Sequence, residues 1–170
     1  MCFENEAAFE AACTKLALDT AALLTEKNAS AAVAESLTGG LLASEIVRVP
    51  GSSRWFKEGC VTYTDGAKER RLSVPPALLE ANTAVSAPVA RAMAEGMLLS
   101  SGADAAVSTT GLAGPGCDEY GREAGLVFIG GAVKQGCVVR ELHLEGSRSE
   151  IRMQAAYEAL KLLNALAKLI

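Results

Sequence analysis

The stretch that most constrains this chain is Ala31-Ala32-Val33-Ala34, four small apolar residues that run straight into Glu35-Ser36-Leu37-Thr38-Gly39-Gly40. A short apolar run bounded by a glycine turn reads as a buried strand. Leu41 to Val47 then has a helical pattern and stops before Val49-Pro50-Gly51. Strand, tight turn and helix in that order call for a sheet with helices packed on it. The rest of the chain agrees. Residues 6 to 27 carry apolar side chains at helical spacing (Phe9, Cys13, Leu16, Ala17, Leu23, Leu24) and predict a helix. Cys60 to Thr64 is strand-like, and Gly66 to Leu72 predicts a short helix. Pro75-Pro76 opens a further helical turn. Ser86 reads as the N-cap, with Pro88 in the first turn, of a helix that runs to about Ser101. Ala105 to Thr109 predicts a strand, and Gly111 to Gly125 a long Gly/Pro-rich loop. Leu126–Val133 and Cys137–Leu144 predict a hairpin, and Ser149 to Leu169 an amphipathic helix. The expected fold is α/β: a single domain over residues 1–170, a mixed β-sheet with helices packed on its faces.

Half of the residues are apolar and 5% aromatic, so the core is aliphatic and alanine-rich. The formal net charge is −4 and no run of Lys or Arg forms a stripe, which argues against a nucleic-acid or membrane-surface partner. The N-terminus has neither a basic nor an apolar leader region. Five cysteines without a CxxC pair disfavour a disulfide framework or a cysteine zinc site and suggest the reducing cytoplasm. One histidine, His143, alternates with Leu142 and Leu144 in a strand pattern and shares its face with Glu141, which reads as solvent-facing. A Ser-His-Asp triad or a multi-histidine metal site is therefore not the expectation, and a nucleophile would need another base.

Three segments could carry chemistry. Ser36 stands at the end of a strand and near a helix start, whose N–H groups could bind an anion or serve as an oxyanion hole. Equally, Ser36 or Thr38 could simply cap the helix, with Gly39 and Gly40 allowing close packing. Tyr63 ends a strand and Lys68 follows about one turn into a helix. Lys68 is a candidate base if desolvation or a nearby cation lowers its pKa, and otherwise a solvated helix lysine. Thr110-Gly111-Leu112-Ala113-Gly114-Pro115-Gly116 follows a strand, and its backbone N–H groups could cradle a phosphate. It is neither a dinucleotide fingerprint nor a Walker loop, and an ordinary strand-exit loop would look the same.

Taken together, Ala34-Glu35-Ser36-x-Thr38-Gly39-Gly40, Gly51-Ser52-Ser53-x-x-Phe56, Tyr63-x-x-x-x-Lys68, Val85-Ser86-x-x-Val89-Ala90-x-x-Met93-Ala94-x-Gly96, Thr110-Gly111-x-Ala113-Gly114-Pro115 and Arg148-x-x-Ile151-Arg152 resemble the CinA C-terminal domain family. The active members of that family are nicotinamide-nucleotide amidohydrolases. The resemblance implies a bacterial enzyme of pyridine-nucleotide salvage that hydrolyses the carboxamide of nicotinamide mononucleotide to nicotinate mononucleotide and ammonia, with no cofactor and no metal. It implies Ser36 as nucleophile, Lys68 as general base and Tyr63 beside them as relay or orienting group. Thr38, Gly39, Gly40, Thr110, Gly111, Gly114 and Gly116 would contact a small-molecule nucleotide substrate, with Arg148 or Arg152 on its phosphate. Longer members carry a separate N-terminal domain, and this chain reads as the stand-alone form. Its alanine-rich helices suggest a homodimer.

The chain departs from the family pattern in three ways. Asp65 stands where asparagine is usual, and a carboxylate there is expected to raise the pKa of Lys68. Glu123-Ala124 replaces a Lys-Pro pair, in a segment with further acids at Asp118 and Glu119. Leu37 replaces a common cysteine. Two other readings therefore stay open: a non-catalytic nucleotide- or protein-binding domain, and an amidohydrolase of a different amide that uses Arg122 or Glu119.

Overall fold

The computed structural model describes residues 3–170. Five strands form one sheet in the order β2-β1-β3-β4-β5. These are β1 (Ala31–Glu35), β2 (Phe56–Val61), β3 (Ala105–Gly111), β4 (Leu126–Val133) and β5 (Gly136–His143). β1 pairs in parallel with β2 and β3, whereas β3–β4 and β4–β5 are antiparallel. The expected mixed sheet is present. The helices are α1 (Glu6–Glu26), α2 (Leu41–Val47), α3 (Asp65–Leu72), α4 (Pro76–Asn82), α5 (Ala87–Ser101) and α6 (Arg148–Ala167). No helix of the described residues is long and apolar enough to cross a membrane.

The period-2 alternation of the central strands divides the core in two. Ala31, Val33, Ala105 and Val107 face a cluster with Phe9, Leu42, Ile46 and Leu160, contributed by α1, α2 and α6, and with Trp55, which precedes β2. Ala32, Ala34 and Ala106 face a second cluster with Leu72, Leu79, Val89, Met93 and Met97, contributed by α3, α4 and α5. Small strand residues on this second side let α5 lie close to the sheet.

The sequence expectation differs from the structure most at β2. The strand runs from Phe56 to Val61 and not from Cys60 to Thr64. It is an edge strand, alternately half-buried and exposed, and contains Lys57, Glu58 and Gly59, so no apolar run marks its start. Its position is set by pairing with the fully buried β1, Ala32 to Glu58 and Val33 to Gly59. His143 is 76% exposed and meets the Glu141 carboxylate at 3.0 Å on the outer strand, as the alternation predicts.

Chain order within the sheet fixes where a ligand can enter. From β1 the chain crosses to β2 on one side, and β3 lies on the other. A reversal of this kind opens a crevice at the carboxyl ends of β1 and β3. The Ser36 turn leaves one of those ends and the Gly111–Gly116 loop the other.

Candidate active site

Strand alternation also separates the side chains of Glu35 and Ser36. Glu35 points to the α2 side and Ser36 to the α3 side, where Lys68 lies. Ser36 extends the ladder by one residue, its N–H donating to Thr109 O at 2.9 Å. The turn then closes through Gly39 N–H to Ser36 O at 3.1 Å and Leu41 N–H to Thr38 O at 3.2 Å. Gly40 has φ = 96°, a left-handed conformation that suits glycine and lets the chain enter α2 sharply.

α3 brings the lysine. The Thr64 side chain caps its N-terminus by accepting from Ala67 N–H, and Lys68 follows on the first turn. Lys68 is 1% exposed and Ser36 9%. Lys68 Nζ lies 3.4 Å from Ser36 Oγ and donates to Thr62 O at 3.0 Å. Burial pushes the Lys68 pKa below the ordinary lysine value. Asp65 acts in the opposite direction, as its charge predicts, but more weakly than desolvation, so the net shift is downward and not upward. The Asp65 side chain is exposed, where water screens it.

The start of α2 is not an open anion site. The buried Glu35 carboxylate accepts N–H bonds from Gly40 at 2.9 Å, Leu42 at 3.1 Å and Ala43 at 2.9 Å. It supplies the cap that Gly40, with no side chain, cannot. The expectation that helix N–H groups form an oxyanion hole is thereby corrected: they are already occupied by a carboxylate. The N–H groups of Leu37 and Thr38, inside the turn, have no intramolecular acceptor among the described residues. Sequence reasoning missed Glu35. Its signal is a carboxylate directly after an all-apolar strand and just before a helix that lacks any capping side chain. Replacing Glu35 with Ala removes the acceptor of three N–H groups, one buried and two part-buried, and we expect a loss of about 2–3 kcal/mol in urea unfolding. Gln, which keeps an acceptor oxygen, should lose about half as much.

From α6, Arg152 donates Nε to Leu37 O at 3.1 Å and a terminal nitrogen to Thr38 O at 2.7 Å. It braces the Ser36 turn. Arg148, one helical turn earlier, donates to Gly114 O at 2.5 Å and to Tyr63 Oη at 3.2 Å. It bridges the β3 exit loop and the start of α3. Tyr63 is 58% exposed, and its hydroxyl meets Arg148 and neither Ser36 nor Lys68. The Thr38 hydroxyl is buried against Thr109 Oγ1 at 2.8 Å, and the Thr110 hydroxyl donates to Ala84 O at 2.6 Å. Both side chains are engaged within the protein and not aimed at a ligand. Gly111, Gly114 and Gly116 line a cavity of about 180 Å³ together with Leu37, Tyr63 and Arg148. Gly39 and Gly40 shape the turn.

The acidic loop is held down by its own arginine. Arg122 forms an ion pair with Asp118 at 2.6 Å and donates to Thr83 Oγ1 and Val85 O, both at 2.7 Å. Asp118 thus faces a fixed cation. Beyond this loop a wider cleft of about 710 Å³ includes Asp65, Glu69, Glu80 and Glu119. Among the described residues, no group of three or more His, Cys, Asp or Glu is placed to hold a metal ion.

Residues 13–167 match the sequence profile of the CinA C-terminal domain. The chain is 48% identical over 141 residues to a CinA-like protein of Chlorobaculum tepidum, covering 79% of this chain and 33% of that protein. It is 46% identical over 145 residues to a CinA-like protein of Geobacter sulfurreducens, covering 84% and 35% respectively. It therefore spans about a third of the length of these curated relatives. The crystal structure of the competence/damage inducible protein CihA from Agrobacterium tumefaciens superposes with a TM-score of 0.88 at 34% identity, covering 98% of both chains.

Proposed function

The chain belongs to the CinA C-terminal domain family, and from that premise we propose that it is an amidohydrolase that cleaves the carboxamide of nicotinamide mononucleotide through a serine–lysine mechanism. One observation carries the reading: a buried lysine with lowered pKa lies 3.4 Å from the hydroxyl of a serine at the crevice between β1 and β3. Desolvation favours the neutral form of Lys68, and a neutral amine can accept the serine proton.

In the first step Ser36 Oγ attacks the amide carbon while its proton passes to Lys68 Nζ. The carbonyl oxygen becomes an oxyanion, for which the Leu37 and Thr38 N–H groups are the available donors. The C–N bond then breaks, and ammonia leaves with the proton that Lys68 holds. Water, giving a proton to Lys68, next attacks the Ser36 ester, and the acid product departs as Ser36 Oγ recovers its proton. Lys68 serves as base and acid in each half. Arg152 keeps the turn carbonyls fixed, so that the turn N–H groups need not reorganise during the reaction. Arg148 and the loop N–H groups are the candidates for holding the phosphate.

Ammonia release from nicotinamide mononucleotide tests this. Wild type should turn over and Ser36→Ala should not, with both folded by circular dichroism. Because protonated Lys68 cannot accept the serine proton, kcat/KM should rise with pH along a limb whose midpoint lies below 10.5, the ordinary lysine value. A flat profile from pH 6 to 10 would remove Lys68 from the base role. The acidic side chains of the 710 Å³ cleft favour a second reading, an amide without phosphate. Faster turnover of nicotinamide riboside than of its phosphate ester would select it.

A further inference from the structure

One stripe of α5 is turned to solvent. Pro88, Arg91, Glu95 and Leu99 are exposed along it at helical spacing, and Leu99 is 82% exposed, the most exposed of the large apolar side chains among the described residues. Leu99 stands on a ridge between two grooves. One, of about 620 Å³, is lined by Leu72, Pro75, Leu78, Pro88 and Ala92 between α5 and the α3–α4 pair. The other, of about 340 Å³, lies between α5 and the β4–β5 turn. A large apolar knob beside apolar grooves on a surface helix marks an interaction face.

The charges on this stripe say what covers it. Arg91 and Glu95 lie one turn apart on the same face; the Glu95 carboxylate meets the Cys137 thiol, but neither residue takes part in an ion pair among the described residues. Arginine N-terminal to glutamate is also the weaker order for an intrahelical pair. Antiparallel packing of two such helices about a two-fold axis sets Arg91 of each against Glu95 of the other, which gives two ion pairs from one self-complementary patch. Residues whose numbers sum to 186 are then level. Leu99 comes level with Ala87 of the partner subunit, at the end of the partner's groove that Pro88 lines. Knob, hole and charge all match under one operation.

We propose that α5 is a homodimer interface in which the occupant of the α5 groove is Leu99 of a second copy of this chain. The proposal does not depend on the amidase reading. Sedimentation equilibrium of the full chain tests it. Wild type should sediment at twice the chain mass. Leu99→Glu should weaken association about 30-fold or more, as expected for a central apolar anchor. Arg91→Glu and Glu95→Arg, each alone, set like charges against each other twice and should sediment as single chains. Mixed in equal amounts, these two variants restore both opposite-charge pairs and should form a heterodimer. All three side chains are exposed, so the variants should keep the wild-type circular dichroism spectrum. A monomeric wild type, a Leu99→Glu protein that still dimerises, or a mixture that stays monomeric would each overturn the proposal.

Discussion

Lys68→Met should lower kcat/KM for amide hydrolysis by about a thousandfold or more, the usual range for loss of a general base, while making the protein more stable. Methionine keeps the length of the side chain and its packing between α3 and the sheet but removes an amine that burial disfavours when protonated. The sign follows from linkage. The Lys68 pKa is lowered on folding, so between the folded value and 10.5 the unfolded chain binds more protons. Wild-type stability therefore rises with pH across that window and carries the penalty of a buried ammonium at every lower pH. Against this stands the lost hydrogen bond to Thr62 O, worth about 1 kcal/mol. The Lys68→Met protein should melt at a higher temperature than wild type at pH 7 and show no slope from this site near pH 10. A variant that is both inactive and less stable at pH 7 would mean that the bond to Thr62 outweighs the cost of burying the amine.

Gly96→Ala should destabilise the protein although it replaces glycine by the best helix former inside a helix. Propensity alone favours alanine by about 1 kcal/mol. A Cβ at position 96, however, would lie 2.0 Å from Leu72 O, a backbone atom at the end of α3. α5 and α3 must separate, and we expect a net loss of about 2 kcal/mol or more. Lys68 sits one turn before Leu72 on the same helix. The separation should draw Nζ away from Ser36, with a fall in kcat of about ten- to a hundredfold. Thermal melts and turnover of the same preparation check both. Normal activity in a destabilised variant would show that α3 yields at its C-terminal end alone.

These effects explain why some of the molecule was readable in the sequence and some was not. Strands β1, β3 and β4 are buried runs of small and branched residues, and α1, α5 and α6 have helical spacing and clear starts, such as the Ser147–Glu150 capping box before α6. Local pattern suffices for these. β2 was misplaced by four residues at its start because an edge strand with Lys57, Glu58 and Gly59 takes its register from its neighbour. At the site, the order of the motifs pointed to Ser36 and Lys68, but not to the balance between burial and Asp65. That balance depends on how deeply α3 sets the amine, a three-dimensional quantity. The same holds for Glu35, whose partners are up to eight residues away, and for Thr38 and Thr110, whose hydroxyls look free in a motif and are bonded in the fold.

The brace from Arg152 has a consequence for the order of synthesis. Its two bonds reach carbonyls 115 and 114 residues earlier in the chain. On the ribosome the Ser36 turn, β1, β3 and α3 all emerge before the residue that fixes the turn. A nascent chain ending between α3 and α6 would hold both the serine and the lysine yet leave the turn unpinned. The turn that carries Ser36 thus gains its brace only once α6 has been made, however early the serine and the lysine themselves emerge.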